Sequence, residues 1–453
     1  MEKNITRRDF LKKSAAAGAA ISTVAACNEA VTKTPANPGT GEMTYRHLGK
    51  DKVSLLGYGC MRWPFTKNEK GEDIVDQEQV NALVDYAIEH GVNYFDTAPV
   101  YCRGLSEEST GIALRRHPRD SYFIATKMST FGRELGDKQY EKSLEMYENS
   151  FKKLGVDTID YYLIHAVGGG GLEKLHRNFL DIGLLEYFMG EREKGRIRNL
   201  GFSFHGDQAV FDYLLSIHDK VHWDFVQIQM NYADWSHAKE GRNVNAKYLY
   251  EELAKRDIPA VIMEPLLGGR LANLPAPLTE RLKAARPDES IASWAFRFTA
   301  TFPDVMCLLS GMTYQEHLED NLKTFCPLDP VTEKEKAMLE EVADILFDYP
   351  MVDCTACQYC MPCPYGIDIP GIFSHYNKCI TEGTIATDSQ SEGYKKARRA
   401  FLIGYDRSVP KLRQAAHCIN CGQCMPHCPQ GIRIPEELRR IDAYVEKLKQ
   451  DKL

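Results

Sequence analysis

Short apolar runs alternate with longer amphipathic segments through the middle of the chain, from about residue 43 to residue 327. The runs have the length of strands, and the segments between them have apolar positions at helical spacing. Eight runs can be counted, at residues 53–60, 92–98, 122–128, 159–166, 197–204, 225–232, 259–267 and 305–311. Eight strand–helix repeats predict one (β/α)8 barrel of the α/β class, a TIM barrel, over residues 43–330.

A second pattern begins after the barrel region. Residues 331–349 are charged and predict a helical connector, and the composition then changes. Of 14 cysteines in 453 residues, eight fall in two tight groups after residue 350. A disulfide framework would scatter its cysteines through a much smaller fold, so metal ligation is the better interpretation. Residues 331–453 are therefore predicted to form a separate, mostly helical domain.

The first 27 residues resemble a twin-arginine export signal, with Arg7 and Arg8 ahead of a short, alanine-rich apolar stretch. The alternative is an amphipathic N-terminal helix. Cys27 ends a Val-Ala-Ala-Cys run that resembles a lipobox, which predicts a lipid anchor; ordinary cleavage near Ala26 is the alternative. Residues 28–42 predict a flexible tether. We therefore expect a periplasmic protein, or one at the outer face of the membrane.

Composition narrows the possible functions. The formal net charge is -7, from 56 basic and 63 acidic residues, so no large positive field is available to bind nucleic acid. No apolar run reaches about 18 residues, the length that would predict a transmembrane helix.

Polar side chains stand at the ends of three successive predicted strands. Asp96 and Tyr101 follow the second strand, Lys127 ends the third, and His165 ends the fourth. Each residue has a structural alternative, because strand-end histidines are often structural and a buried Asp/Lys pair can be a plain ion pair. Since catalytic groups of such barrels sit at the C-terminal ends of strands, the four residues are candidates for one active site.

In this order and at these strands, the four residues resemble the Asp, Tyr, Lys and His tetrad of the aldo/keto reductases. The resemblance extends over essentially the whole barrel. It implies an oxidoreductase that acts on a small carbonyl or alcohol, with Tyr101 as the acid that protonates the carbonyl oxygen. Asp96 would hold Lys127, whose ammonium group would lower the pKa of Tyr101. His165 would be a neutral donor that orients the carbonyl.

The resemblance also implies a nicotinamide site. Ser203 and Gln227 stand at the strand ends from which the family holds the carboxamide. Leu266 and Gly268 lie in a Pro-Leu-Leu-Gly-Gly run similar to the family's pyrophosphate loop, and Asn321 falls where the family reads adenine. No Rossmann GxGxxG motif follows a strand.

Departures from the family pattern favour NAD(H) over NADP(H). Gly311 and His317 replace the Lys and Arg that hold the 2'-phosphate in NADP-preferring members, although Arg270 could compensate. Phe204 replaces an Asn beside Ser203, and Met263 stands where a tyrosine commonly stacks on the nicotinamide.

The two cysteine groups have the spacing of bacterial ferredoxins, C-x2-C-x2-C-x3-C-P, except that the first group is one residue shorter before its last cysteine. The spacing predicts two 4Fe-4S clusters. In two-cluster ferredoxins the fourth cysteine of each group ligates the other cluster. One predicted set is Cys354, Cys357, Cys360 and Cys428, and the other is Cys418, Cys421, Cys424 and Cys363.

Structural zinc is the competing interpretation, because paired C-x2-C groups also make tetrahedral sites. The remaining barrel cysteines and Cys379 are expected to be buried, and Cys102, next to Tyr101, is expected to fill space. Twin-arginine export suits a cluster protein, since that route carries proteins already folded around their cofactors, whereas unfolded thiolates would form disulfides.

Two functions from different classes fit the sequence. The first is a nicotinamide-dependent oxidoreductase with clusters for electron transfer or structure. The second is an exported electron-transfer or scaffold subunit whose barrel has lost turnover. A hydride delivers two electrons and a cluster accepts one, and no flavin-binding pattern is found to convert between them. The basic run at residues 395–399 could dock a redox partner, or be a solvated helix face.

Overall fold

The computed structural model of the protein describes residues 41–129, 138–238 and 243–453. The predicted export signal, with Arg7, Arg8 and Cys27, and nearly all of the predicted tether lie outside the described residues. Within the described ranges, no helix combines the length and apolar character needed to cross a membrane.

Eight parallel strands close a barrel, which confirms the predicted fold class. Around the barrel the strands follow the order β10, β11, β12, β3, β6, β7, β8, β9. The strands of the described residues are β1 (Tyr45–Leu48), β2 (Asp51–Ser54), β3 (Leu56–Gly59), β4 (Phe65–Lys67), β5 (Asp73–Val75), β6 (Tyr94–Asp96), β7 (Phe123–Met128), β8 (Ile159–Gly168), β9 (Ile197–His205), β10 (Phe225–Gln229), β11 (Ala260–Met263) and β12 (Val305–Ser310).

Each predicted run contains one barrel strand, and the differences lie at the ends. The run at 53–60 is divided, because Val53 and Ser54 belong to β2, which pairs antiparallel with β1, and only Leu56–Gly59 joins the barrel. A second hairpin, β4 with β5, was not predicted from the sequence. Its exposed strands lack the buried apolar run that identifies the barrel strands.

Helices follow the strands and cover the barrel. They are α1 (Gln77–Glu89), α2 (Ser106–Leu114), α3 (Gln139–Leu154), α4 (Gly171–Leu175), α5 (Leu184–Glu193), α6 (Gln208–Ser216), α7 (His218–Val221), α8 (Ala246–Ala254), α9 (Ala276–Ala285), α10 (Ile291–Ala300) and α11 (Gln315–Phe325). Local signals set several starts; for example, Asp76 caps α1 by accepting a hydrogen bond from Gln79 N at 3.1 Å.

Aromatic rings fill the barrel interior below its C-terminal end. Tyr94, Tyr161 and Phe225 come from the alternate strands β6, β8 and β10. The ring centroids of Tyr94 and Tyr161 are 5.0 Å apart, and those of Tyr161 and Phe225 are 5.2 Å apart. Such layers from alternate strands make the interior a packed core, so the polar strand ends above it are left for chemistry.

After the barrel, α12 (Glu333–Asp348) forms where a charged connector was predicted, and a capping box of Thr332 and Glu335 begins it. The helices of the C-terminal region are α13 (Ile369–Thr381), α14 (Tyr394–Ser408) and α15 (Ile434–Gln450). They enclose a separate apolar core that includes Phe373, Phe401 and Ile441. The cysteine-bearing segments lie before α13 and before α15.

Candidate active site

The four predicted tetrad residues meet at the C-terminal end of the barrel strands, which we call the barrel mouth. Asp96 is the last residue of β6, Lys127 lies in β7, and His165 lies in β8. Tyr101 begins a short turn, Tyr101–Gly104, in which Cys102 and Arg103 adopt positive φ values of 49° and 58°. Strained backbone of this kind is common at sites where a side chain must be held in place.

Lys127 is the centre of the site. Its Nζ lies 2.5 Å from Asp96 Oδ1 and donates to the Thr97 carbonyl oxygen at 2.9 Å. The same Nζ is 4.7 Å from the centroid of the Tyr101 ring. The Tyr101 and His165 rings are perpendicular, with centroids 5.8 Å apart. All four side chains are buried, so charge developing here would act in a low dielectric.

The effect expected of Lys127 on the pKa of Tyr101 is not the dominant one in the structure. Burial, followed by nearby Tyr359 and Asp96, raises the pKa of Tyr101 well above its usual range. A buried phenolate would lose its hydration and would face the Asp96 carboxylate. Tyr101 therefore keeps its proton at neutral pH, which is the state that a proton donor to a carbonyl oxygen requires.

His165 is held as a neutral ring. Burial, with Lys127 and His205 nearby, lowers the pKa of His165 well below its ordinary value. Its Nδ1 is hydrogen-bonded to the Ser129 hydroxyl. A neutral imidazole can donate a hydrogen bond that orients a carbonyl without placing a positive charge beside it.

Ser203 and Gln227 are neighbours across β9 and β10, where they stand in register. Ser203 Oγ accepts a hydrogen bond from Ala166 N at 2.7 Å. Gln227 Oε1 is buried and has no hydrogen-bond partner within the described part of the chain. An unsatisfied buried oxygen suits an amide donor, so this half of the site fits a nicotinamide carboxamide.

The residues predicted to hold the pyrophosphate and adenine are already in contact with other residues of the chain. The backbone N–H of Gly268, which has a φ of 68°, donates to the half-buried Glu264 carboxylate at 2.6 Å. A Cβ added to Gly268 would lie only 2.4 Å from Thr355 Cα. Leu266 is partly covered by apolar neighbours, and Asn321 Nδ2 donates to Ser310 Oγ at 2.9 Å. A dinucleotide pyrophosphate therefore does not fit this arrangement.

The cations near this loop also have partners. Arg62 Nη2 donates to the Thr355 carbonyl oxygen at 2.7 Å. Arg270, which the sequence offered as a compensating cation, lies 3.1 Å from Asp353 in a largely buried ion pair. Both guanidinium groups therefore hold residues of the C-terminal region, and the charge of Arg270 is balanced by Asp353.

None of the eight paired cysteines of the C-terminal region, all of which lie within the described residues, forms a disulfide bond. Cys354, Cys357, Cys360 and Cys428 line one small cavity together, which brings Cys428 to the first group. Cys424 has Cys418, Cys363 and Cys421 as its electrostatic neighbours. The structure therefore brings together both crossed sets that ferredoxin spacing predicts.

Eight cysteines in two sets of four match the number of thiolates that two 4Fe-4S clusters require. Tetrahedral zinc requires four ligands around one point, whereas each thiolate of a cubane binds a different iron. The other described cysteines, Cys60, Cys102, Cys307, Cys326 and Cys379, are buried as predicted.

Two cavities join the barrel mouth to the cysteine segments. The larger, of about 1430 Å³, is lined by Tyr101 and by Cys357, Cys360, Cys363, Cys418, Cys421 and Cys424, among others. The second, of about 960 Å³, is lined by His165, His205 and Cys428, among others. Tyr101 and His165 thus share cavities with the predicted cluster ligands.

Comparison with known proteins agrees with both parts of the fold. Residues 55–344 match the model of the aldo/keto reductase family, and residues 353–433 match that of the 4Fe-4S dicluster domain. Since the first match spans more than half of the 453 residues, the chain belongs to the aldo/keto reductase family. The second match supports iron–sulfur clusters in the C-terminal region.

The chain is similar to several members of that family. "Probable aldo-keto reductase 1" of Glycine max is 35% identical over 120 residues, which cover 26% of this chain and 34% of that protein. "Uncharacterized oxidoreductase YqkF" of Bacillus subtilis (strain 168) is 25% identical over 309 residues, or 62% of this chain and 90% of that protein. The aldo-keto reductase AKR11C1 from Bacillus halodurans (holo form) superposes with a TM-score of 0.51 and 23% identity, covering 66% of this chain and 96% of that structure, which shows the fold alone.

Several residues at the site escaped the sequence analysis. Ser129, Glu264 and Thr355 contact predicted site residues, and His205, whose pKa burial lowers to about 4, lines a cavity with His165. Tyr359 carried one usable signal, because it stands between two predicted cluster ligands. Its contact with Tyr101 joins two domains and has no signature in sequence spacing.

Proposed function

We propose that this chain is an oxidoreductase that acts on a small carbonyl or alcohol substrate at Tyr101. The observation that carries the proposal is the convergence of Asp96, Tyr101, Lys127 and His165, from four elements of the barrel, at one buried point. A structural ion pair alone would not require a protonated tyrosine and a neutral histidine beside it.

The four residues have two roles, which are proton transfer and orientation of the carbonyl. Tyr101 gives its proton to the carbonyl oxygen as negative charge develops there. Lys127, held by Asp96 and by the Thr97 carbonyl, places an ammonium group beside the Tyr101 ring and stabilises that charge. His165 orients the carbonyl as a neutral donor. Alcohol oxidation uses the same groups in the reverse direction.

The source of electrons is the second part of the proposal. The sequence favours NAD(H), and Ser203 and Gln227 are the side chains that would hold its nicotinamide carboxamide. Because Thr355 fills the pyrophosphate position at Gly268, we assign no step to a dinucleotide. The preference for NAD(H) over NADP(H), expected from Gly311 and His317, stays a prediction.

Electron exchange between the clusters and the tetrad pocket is supported by the cavity that Tyr101 shares with the cysteines. Reduction of a carbonyl to an alcohol takes up two electrons and two protons. Two clusters held by the eight cysteines would supply one electron each, Tyr101 would supply the proton to the oxygen, and solvent in the shared cavity would supply the proton to the carbon. The filled pyrophosphate position also favours a second candidate function, an electron-transfer subunit whose barrel does not turn over. In either case the basic residues 395–399, on α14, are the proposed docking point for a redox partner.

The test compares wild-type protein with Tyr101→Phe, both purified without oxygen, on a panel of small aldehydes, ketones and keto sugars. NADH, NADPH and reduced methyl viologen serve as alternative electron donors. Carbonyl reduction should fall by about 10²-fold or more in Tyr101→Phe, because only the acidic hydroxyl is lost. Tyr94→Phe is the matched control, since its buried hydroxyl has no hydrogen-bond partner among the described residues.

Equal turnover by wild type and Tyr101→Phe would refute the assignment of Tyr101. If neither turns over any carbonyl with any donor, while the clusters of both accept and release electrons, the electron-transfer subunit is the better function.

We also propose export by the twin-arginine route, with lipidation at Cys27, on the basis of the sequence pattern at residues 6–27. Replacement of both Arg7 and Arg8 by Lys should retain the protein in the cytoplasm, because the receptor of that route reads the arginine pair. Full export of that variant would exclude the route. Labelling with a fatty-acid analogue distinguishes a lipidated Cys27 from simple cleavage.

A further inference from the structure

Residues 351–359, which we call the cap segment, cross from α12 to the first cluster cysteines and lie against the barrel mouth. Thr355, at the middle of the cap segment, is 2% exposed. Its carbonyl oxygen accepts from Arg62, and its Cα lies against Gly268. Arg270 anchors the start of the cap segment through Asp353. The contact is therefore built from a backbone hydrogen bond, an ion pair and close packing.

A second contact beside the cap segment strengthens this interface. Gln430, which follows the last cluster cysteine, and Gln229, at the end of β10, exchange side-chain amide hydrogen bonds of 3.0 and 3.4 Å. Both side chains are buried, so the bonds are protected from competition with water. The C-terminal domain thus holds the barrel mouth through both of its cysteine segments.

The charges under the cap segment oppose a bound diphosphate. Glu264 is half-buried and already accepts the Gly268 N–H that a pyrophosphate would require. Asp353 adds a second carboxylate close by, and it neutralises Arg270. A dianionic group placed here would meet two acidic side chains, and Arg62 already donates to the Thr355 carbonyl oxygen.

The end of the cap segment reaches the tetrad itself. Tyr359, between Cys357 and Cys360, has its side chain beside that of Tyr101, and both side chains line the larger cavity. One residue thus links a predicted cluster ligand loop to the proposed proton donor.

We propose that the cap segment fills the place in which the family holds its dinucleotide, so that the cluster-binding loop completes the Tyr101 pocket and NAD(P)(H) does not bind there. The inference rests on the proposed function only for the position of the reacting pocket. Tyr359 is then a positioning residue for Tyr101, and Thr355 is the residue that closes the pyrophosphate position.

The packing is tested by Gly268→Ala with Gly269→Ala as its matched control. Both glycines have positive φ, of 68° and 95°, so both substitutions strain the backbone. Only the Gly268 methyl would meet Thr355, because a Cβ at Gly269 has nothing within 4 Å. In full-length protein reduced with dithionite, Gly268→Ala should change the electron paramagnetic resonance signal of one cluster, and Gly269→Ala should leave both signals unchanged. Identical spectra for the two variants would overturn the contact.

Nucleotide binding is tested on the wild-type holoprotein and needs no variant. NADH and NADPH, followed by their fluorescence, should show no saturable binding up to millimolar concentration, and no nucleotide should be released when the purified protein is denatured. Saturable binding, or stoichiometric release of a nucleotide, would overturn the inference. Neither experiment requires turnover, so its failure is distinct from failure of the Tyr101→Phe test with reduced viologen.

Discussion

Removal of the Asp96 charge probes the buried ion pair on which the tetrad is built. Asp96 and Lys127 are 2% and 0% exposed, and Asp96 Oδ2 has no hydrogen-bond partner in the described ranges. Asp96→Asn keeps the shape of the side chain but leaves a buried ammonium group without its counter-charge. Loss of one partner of a buried pair costs about 3–5 kcal/mol. Burial already lowers the pKa of Lys127, so deprotonation of Lys127 places the expected loss near the lower end of that range.

The free energy of unfolding is measured by urea denaturation, together with carbonyl turnover. Asp160→Asn is the control. Asp160 is as buried as Asp96, but it lies at the start of β8, away from the barrel mouth. It is paired with Arg119 at 2.6 Å and Arg198 at 2.9 Å. Both variants should lose stability, and only Asp96→Asn should lose turnover. Asp96→Asn combined with Lys127→Met should recover most of the stability. If Asp96→Asn is as stable as wild type, or if the double variant is no more stable than Asp96→Asn alone, the Asp96–Lys127 ion pair does not stabilise the fold as argued.

Three further outcomes are expected. Cys421→Ser should lower iron from about eight to about four atoms per chain and leave the barrel folded, since each cubane holds about four irons; an unchanged iron content would contradict the ligand assignment. Tyr359→Phe, which removes the polar group of the side chain next to Tyr101, should reduce turnover about fivefold, equivalent to about 1 kcal/mol, with both cluster signals retained; unchanged kcat would remove its positioning role. Because burial lowers the pKa of His165 well below its ordinary value, its ring should stay neutral at mildly acidic pH. Turnover that depends on His165 should therefore persist from neutral pH to pH 6.5 and fall only well below it. A His165 ring that titrates near pH 6.5 in nuclear magnetic resonance would contradict this.

The barrel could be predicted because each strand is short, apolar and buried on both faces, which leaves a clear signal in the sequence. The strand-end position of Lys127 and His165 follows from the same signal, and the pairing of Lys127 with Asp96 was expected from the resemblance to the family's tetrad. The residues at which each strand begins and ends have a weaker signal in the sequence. Val53 and Ser54 continue an apolar run, yet they pair with β1, because strand pairing depends on the partner and not on the run itself.

The pKa of Tyr101 could not be predicted from the tetrad alone. Lys127 is adjacent, as the resemblance implies, but burial and the neighbours Tyr359 and Asp96 outweigh it. Tyr359 and Thr355 are far from the barrel in sequence, and periodicity carries no information on which surfaces of two domains meet. The cysteine spacing, in contrast, predicted the two crossed sets, because the short loops of a ferredoxin-type segment limit where each thiol can lie.

The most direct test of the account is reoxidation of the reduced clusters by substrate. Wild-type and Tyr101→Phe proteins are reduced with dithionite, freed of excess reductant without oxygen, and mixed with the carbonyl panel while the visible absorbance of the clusters is followed. At least one small carbonyl should restore the cluster absorbance of the wild type, and Tyr101→Phe should slow that reoxidation by about 10²-fold or more. Equal rates in the two proteins, or carbonyl reduction that proceeds only with added NADH or NADPH, would contradict it.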